Sequence, residues 1–305
     1  LKVVSQALHL ISLLATMLSG GTPTSVKPEQ VRALTFNIFL DGHLGLPKVI
    51  DLIRSSKADV IGLQESEKET AQIAGALGFN YVQHGYTALI TPFKIDSVTP
   101  GSNCIVVRTD DDHKLAFCDK HLFYKPYQPY QLLGIPFEGG KFIKTEAEAI
   151  AESKKARGTD VDDTLNDLAS LGKEAPPTIL VGDFNEPSHL DWTEAAAKAG
   201  RHPIKVDWPS TRAFADVGFH DSYRELYPDE MKYPGYTWTP TTKADDANDH
   251  HDRLDFILYR GEGIKLKSVD IIGENKENAT IVVDPYPSDH RAVTAVFELG
   301  TGDMR

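Results

Sequence analysis

Thr178-Ile179-Leu180-Val181-Gly182-Asp183-Phe184-Asn185 is the stretch from which the fold is read. Four residues that suit a strand run into a glycine and then into Asp, Phe and Asn. A short apolar run bounded by turn residues predicts a strand buried on both faces. Pro176 and Pro177 mark its start and Gly182 its end, since glycine bends the chain sharply and lets another backbone approach. Asp183 and Asn185 lie two apart at the strand's exit, so both side chains point the same way. A carboxylate and an amide at a sheet rim can hold a metal, a phosphate or a water. The same pair also makes a plain turn, each side chain bonding its own backbone. This motif alone leaves the two readings even, and the rest of the chain has to separate them.

The chain has 305 residues, 41% hydrophobic and 25% charged, which is ordinary globular composition and enough for one large α/β domain or two smaller ones. Its net charge of −12 argues against gripping nucleic acid non-specifically through a basic face. It does not exclude a nuclease, because a bound divalent metal supplies positive charge locally. Two cysteines, Cys104 and Cys118, are too few at this spacing for a zinc-type Cys/His cluster. Ala7 to Leu18 is mostly apolar, with Lys2 before it and Ser19, Gly20 and Gly21 after it. That run is too short to span a bilayer and matches the core of an export signal; an amphipathic helix packed on the domain is the other reading. The expected organisation is a signal segment and linker over residues 1–30, a functional domain over 31–300, no membrane span, and a secreted or periplasmic protein.

In chain order, Val31 to Ile38 predicts a strand ending near Asn37, and Leu46 to Ser55 carries a helical apolar period. Ala58 to Glu65 is a second buried strand with a carboxylate at its exit, followed by a helix over Glu67 to Leu77. Tyr81 to Val98 is strand-rich. Asn103 to Cys118 predicts a hairpin with its turn centred on Asp111, which puts Cys104 opposite Cys118 as a cross-strand disulfide or as two buried thiols. His121 ends the second hairpin strand. Phe123 to Tyr130, aromatic and proline-rich, predicts a loop. Lys144 to Leu171 predicts one or two surface helices broken near Gly158. A helix through Lys198 would be N-capped by Ser188 or Asp191, and another lies around Thr211 to Val217. Tyr236 to Trp238, Asp255 to Tyr259, Lys265 to Gly273 and Arg291 to Leu299 read as strands.

Polar groups recur at strand exits: Asn37, Glu65, His121, Asp183 with Asn185, Asp255, and Asp289 with His290. One such group is a turn; six such exits converging on one rim are the parts for metal-assisted phosphate hydrolysis. Hard oxygen ligands suit Mg²⁺, a histidine oriented by an aspartate can activate water, and amide and imidazole donors can hold phosphoryl oxygens.

In this order the segments Leu34-Thr35-Phe36-Asn37, Ile61-Gly62-Leu63-Gln64-Glu65, Leu89-Ile90-Thr91-Pro92-Phe93, Asp119-Lys120-His121-Leu122, Gly182-Asp183-Phe184-Asn185, Arg253-Leu254-Asp255-Phe256-Ile257 and Ser288-Asp289-His290 resemble the endonuclease/exonuclease/phosphatase superfamily, with its DNase I-like fold. The resemblance spans residues 31–299. It implies an α+β fold, a four-layer α/β sandwich of two packed, mainly antiparallel sheets flanked by helices. It also implies divalent-metal-dependent cleavage of phosphoester bonds with Mg²⁺, or Mn²⁺ or Ca²⁺. By that likeness Glu65 is the main metal ligand, with Asn37 and Asp289 beside the metal or its waters. His290 is the general base or a phosphate contact, Asp183 orients the nucleophile, and Asn185 and His121 bind the phosphoryl group. The partner of His290 is either Asp252, directly before Arg, or Asp255, which opens the Phe-Ile-Leu-Tyr strand; that strand favours Asp255. The acid the family places near Pro92-Phe93 to support His121 is not evident. His189, Tyr124, Lys125, Tyr127, Asp252 and the His250–His251 pair are the substrate-pocket candidates. The expected substrate is a small exported phosphodiester or phosphomonoester. Nucleic acid is possible but not favoured, a DNase I-like endonuclease is the alternative, and no obligate protein partner is implied. A catalytically silent, phospho-ligand- or partner-binding member should have lost part of the set, and here every position is filled.

Overall fold

The computed structural model describes residues 29–110 and 113–300; the signal-like segment and the expected hairpin tip at Asp111 lie outside the described residues. The chain runs β1 (Glu29–Asn37), α1 (Leu46–Ser56), β2 (Val60–Gln64), α2 (Thr70–Leu77), β3 (Asn80–His84), β4 (Thr87–Thr91), β5 (Lys94–Val98), β6 (Cys104–Arg108) and β7 (Lys114–His121). It continues through α3 (Gln128–Leu133), α4 (Glu146–Ser170), β8 (Thr178–Asp183), α5 (Glu194–Lys198), α6 (Pro209–Asp216), β9 (His220–Asp221), α7 (Ser222–Leu226), β10 (Asp255–Arg260), β11 (Ile264–Gly273), β12 (Ile281–Val282) and β13 (Ala292–Leu299). The strands form two sheets, one in the order β12-β11-β13-β1-β2-β4-β3 and the other β5-β6-β7-β8-β10-β9.

The sheets pack face to face through Val31, Phe117, Val181, Ile257 and Phe297. The outer face of the first is covered by α1 and α2 through Val49, Ile53 and Ile73, and that of the second by α4 and α6 through Val161, Leu168 and Phe214. Helix, sheet, sheet, helix is the four-layer α+β sandwich expected, antiparallel except where β1 meets β2, β7 meets β8 and β11 meets β12.

Register positions the site. Parallel pairing of β7 with β8 sets His121 opposite Asp183, and antiparallel pairing of β8 with β10 sets Asp255 opposite Asp183. Three polar residues from distant parts of the chain thus share one row. In the first sheet Asn37 lies opposite Gln64, one residue before Glu65. Two glycines permit this closeness. A Cβ on Gly182, whose φ is 153°, would lie 1.9 Å from the Lys120 carbonyl oxygen, and one on Gly62 would lie 2.3 Å from Val181 Cγ2 of the opposite sheet.

Four local expectations are corrected. α4 is one unbroken helix of 25 residues, started by a Thr145–Glu148 capping box. Gly158 costs such a helix about 1 kcal/mol, which its buried Ala149, Arg157, Val161 and Leu168 outweigh. Nor is it only a surface helix: Arg157 is fully buried and donates to the Gln128 side chain and the Pro126 carbonyl. α5 is capped by Thr193, because Asp191 is held by two arginines and the Ser188 carbonyl closes a turn on the Asp191 N–H. The aromatic loop becomes helical at Gln128, and Trp238 makes only single bridges, to Asp252 and His290. Cys104 and Cys118 face each other in register and are disulfide-bonded, which resolves the open choice at that pair.

Candidate active site

Asp183 is the hub. Its side chain is buried, yet its Oδ2 accepts from Asn37 Nδ2 at 3.0 Å and Asn185 Nδ2 at 3.3 Å. The same oxygen faces His121 Nε2 at 3.5 Å and His290 Nε2 at 3.7 Å. Its Oδ1 accepts from the Asn185 N–H at 2.8 Å. Burial alone would raise this carboxyl's pKa, but His290, His121 and Asn37 outweigh it and hold the group well below the usual carboxylate range. Asp183 is the carboxylate that the His121 ring faces.

His290 lies between two carboxylates. Its Nδ1 is 2.9 Å from Asp255 Oδ2, which identifies Asp255 rather than Asp252 as its partner. Burial works against a charged ring, but Asp255 and Asp183 together push its pKa up to about 10. For His121 burial is likewise outweighed, by Asp183, and the shift is upward. Thr237 Oγ1 accepts from the Leu254 and Asp255 N–H groups and fixes the start of β10. Ser288 Oγ donates to the Asn37 carbonyl at 2.7 Å, tying the segment before His290 to β1. Ser288 belongs to the Ser288-Asp289-His290 segment already singled out in the sequence, whereas nothing local marks Thr237 as a support of the site.

Glu65 sits just past β2 with its backbone in the left-handed region at φ 56°, which few non-glycine residues adopt. The Leu40 N–H donates to its Oε2 at 2.7 Å and Asn37 Nδ2 to its Oε1 at 3.2 Å. Asn185, at φ 48°, is held by its bonds to Asp183 and by donation to the Leu122 carbonyl at 3.1 Å. Strained residues this tightly held concentrate at functional sites. Glu65, His121, Asn185, Asp289 and His290 open on one cavity of about 240 Å³, whose other wall is Tyr124, Tyr127, Phe137, Trp238 and Leu254. Asp289 Oδ1 is buried in it without a hydrogen-bond partner. Burial first, and the charge of Glu65 next among the raising effects, push that carboxyl up to about 6.

Several substrate-pocket candidates lie elsewhere. His189 lines a different cavity, of about 360 Å³, with its Nδ1 2.8 Å from Thr211 Oγ1. Asp252 is buried and committed to Tyr127 Oη at 2.6 Å and Trp192 Nε1 at 2.9 Å, so it faces away from the cleft. His250 pairs with His202, and His251 with Thr242. Tyr124 and Tyr127 do line the cleft, and Lys125 sits over the Tyr124 ring at 5.0 Å. Among the described residues two side-chain groups could gather an ion: Asp183, Asp255 and His290, and separately His202, His250 and Asp252. The first is already joined internally by the His290–Asp255 bond.

A model of the Endonuclease/Exonuclease/phosphatase family matches residues 34–290, which takes in every strand-exit residue above. The chain belongs to that family. An uncharacterized protein of Caenorhabditis elegans, F14F9.5, is 28% identical over 95% of this chain and 98% of its own length. Among solved structures, a 3'-5' exonuclease (NExo) from Neisseria meningitidis is 19% identical, covering 88% of this chain and all of that one with a TM-score of 0.54. D. rerio TDP2 complexed with single-strand DNA product is 15% identical, covering 88% and 99% of the two chains with a TM-score of 0.51. At these identities the solved structures show the fold. Membership of the family makes this chain a nuclease- or phosphatase-type phosphoester hydrolase.

Proposed function

We propose that the protein is a divalent-metal-dependent phosphoesterase acting on a small phosphodiester or phosphomonoester outside the cytoplasm. The observation that carries this reading is the meeting of Glu65, Asp289, Asp183, Asn185, His121 and His290 at one end of the sandwich. An orphaned carboxylate oxygen on Asp289, with Glu65 on the same cavity, is a hard-oxygen set that fits Mg²⁺. Glu65 and Asp289 would hold the ion, with Asn37 beside them. When bound, it supplies charge neutralisation for a phosphoryl oxygen and lowers the pKa of water.

The chain's own residues do the rest. Asp183, ionised, orients the attacking water. Asn185 and His121 donate to phosphoryl oxygens. His290 keeps its proton between Asp255 and Asp183 and donates to the oxygen on which charge builds, so of its two expected roles the phosphate contact is favoured. Asp255 fixes that ring. Support for a small substrate comes from the cleft: it is about 240 Å³, walled by aromatic rings, and carries no lysine or arginine among its lining residues. The disulfide supports an oxidising compartment. DNA is the second reading, since the D. rerio relative holds a DNA product and an aromatic wall can stack a base. The test is initial-rate hydrolysis of an aryl phosphodiester, an aryl phosphomonoester and a single-stranded oligonucleotide, with Mg²⁺ and with excess chelator. Turnover that survives the chelator rejects the metal mechanism; oligonucleotide cleavage faster than both aryl esters rejects the small-substrate reading.

A further inference from the structure

We propose that His202, His250 and Asp252 form a second metal site, outside the catalytic cleft, that takes zinc or a similar divalent transition ion. His202 Nδ1 lies 3.0 Å from His250 Nε2, and that nitrogen lies 3.9 Å from Asp252 Oδ1. One ligand atom from each residue falls within 4.8 Å of the others. A tetrahedral zinc with bonds near 2.1 Å needs its ligand atoms about 3.4 Å apart, so these three close on an ion with little movement. Two imidazoles and one carboxylate suit a borderline transition metal, whereas Mg²⁺ prefers oxygen throughout.

The surroundings are built for ligation. The His202 ring is stacked on Trp192, with centroids 4.2 Å apart and planes within 12°, which fixes its orientation. Trp192 Nε1 and Tyr127 Oη each take one lone pair of the Asp252 carboxylate, and Oδ1 keeps another for an ion. An entry path exists. His202 and His250 line a cavity of about 550 Å³ with the exposed Asp245 and Asp246 at its mouth, an acidic approach for a cation. Arg201, on the same cavity, donates to the carbonyls of Glu230 and Met231.

An ion here would clamp the segment after α5 to the segment that leads, three residues on, into Asp255 and the catalytic row. It would also reach the cleft wall, because Tyr127 is bonded to the same Asp252 carboxylate. Without an ion, the two rings are one neutral imidazole donating to another. The experiment separates these cases. The chelator-treated full chain is titrated with Co²⁺ by visible absorption and with Zn²⁺ by calorimetry and thermal melting, alongside His250→Gln and Glu65→Gln. The expected result is one tight equivalent that raises the melting temperature, weakened at least ~10-fold by His250→Gln and kept by Glu65→Gln. Loss in Glu65→Gln but not in His250→Gln would assign the ion to the catalytic cleft and overturn the proposal. X-ray absorption on the zinc-loaded parent needs no variant: two imidazoles in the zinc shell support the site, and an oxygen-only shell refutes it.

Discussion

Asp255→Asn is the most direct probe of how His290 is held. Asp255 Oδ2 lies 2.9 Å from His290 Nδ1 in a buried setting, and asparagine keeps the shape while removing the charge. Two unit charges about 4 Å apart interact by ~4 kcal/mol at an effective dielectric near 20. That sets the upper bound on the loss, about three powers of ten in rate. Asparagine can still accept the Nδ1–H, and Asp183 stays 3.7 Å from the other ring nitrogen, so the full charge term is not lost. The lower bound is the ~1 kcal/mol gap between a charged and a neutral hydrogen bond. The expected fall in kcat/KM is therefore ~10- to 10³-fold, carried mainly by kcat, because the charged ring matters most where phosphoryl charge builds. The assay is initial-rate hydrolysis of an aryl phosphodiester with Mg²⁺, corrected for folded fraction by thermal melting. Asp252→Asn is the comparison. Its carboxylate serves Tyr127 and Trp192, so it should lower kcat by less than ~10-fold. If Asp255→Asn stayed within threefold of the parent while Asp252→Asn fell further, the assignment of the histidine's partner would be wrong.

Three further outcomes concern the frame that carries the site. Gly62→Ala should cost about 1–3 kcal/mol in urea denaturation, because its methyl would meet Val181 and Asp119 of the opposite sheet; an unchanged midpoint would refute the inter-sheet contact. Replacing Cys104 and Cys118 together by alanine removes a cross-link over a sequence separation of 14 and should lower stability by about 3 kcal/mol, read from the same melts. Asp191 is buried and held by Arg224 and Arg253, which outweigh its burial and keep its pKa below the ordinary carboxylate value. The unfolded chain therefore takes up that proton first as pH falls. The network's contribution is complete above about pH 4 and lost as pH drops through the folded value, so stability rises with pH in that window. Asp191→Asn should flatten that part of the stability profile and cost about 3–5 kcal/mol at neutral pH; a parallel, unshifted profile would contradict the linkage.

The strands that carry the site were legible because each is buried on both faces and reads as an unbroken apolar run, as in Thr178–Asp183, with one polar residue where burial ends. What sequence could not supply was register. That Asp183 serves His121 follows only from the parallel pairing of β7 with β8, and nothing local in either strand announces it. Asp252 and Asp255 stand three apart, yet one faces Trp192 and the other His290, because the chain turns from an irregular segment into β10 between them. His189 and His250 failed as pocket candidates for a related reason: they lie on loops, whose directions are set by distant packing on Thr211 and Trp192. Gly158 misled in the opposite sense. Its local penalty is real, but α4 is anchored on both sides of it by buried side chains, so tertiary packing overrides propensity.

The balance of charge in the cleft bears on where the proposed cation would sit. Glu65, Asp183, Asp255 and Asp289 bring four carboxylates against the two rings of His121 and His290. With both rings charged, two negative charges remain. Asp183 is surrounded by donors, and Asp255 has the His290 ring. Glu65 and Asp289 are the carboxylates that line the cavity itself. There the Asp289 carboxyl is pushed up to about 6 and one of its oxygens is buried without a partner. A divalent ion at that position would supply the missing charge and reverse that shift, because a nearby cation favours the ionised carboxylate. On the proposed reading, the sandwich would separate a metal-holding wall, drawn from the first sheet and the segment before β13, from a proton-holding wall that draws Asp183 and Asp255 from the second.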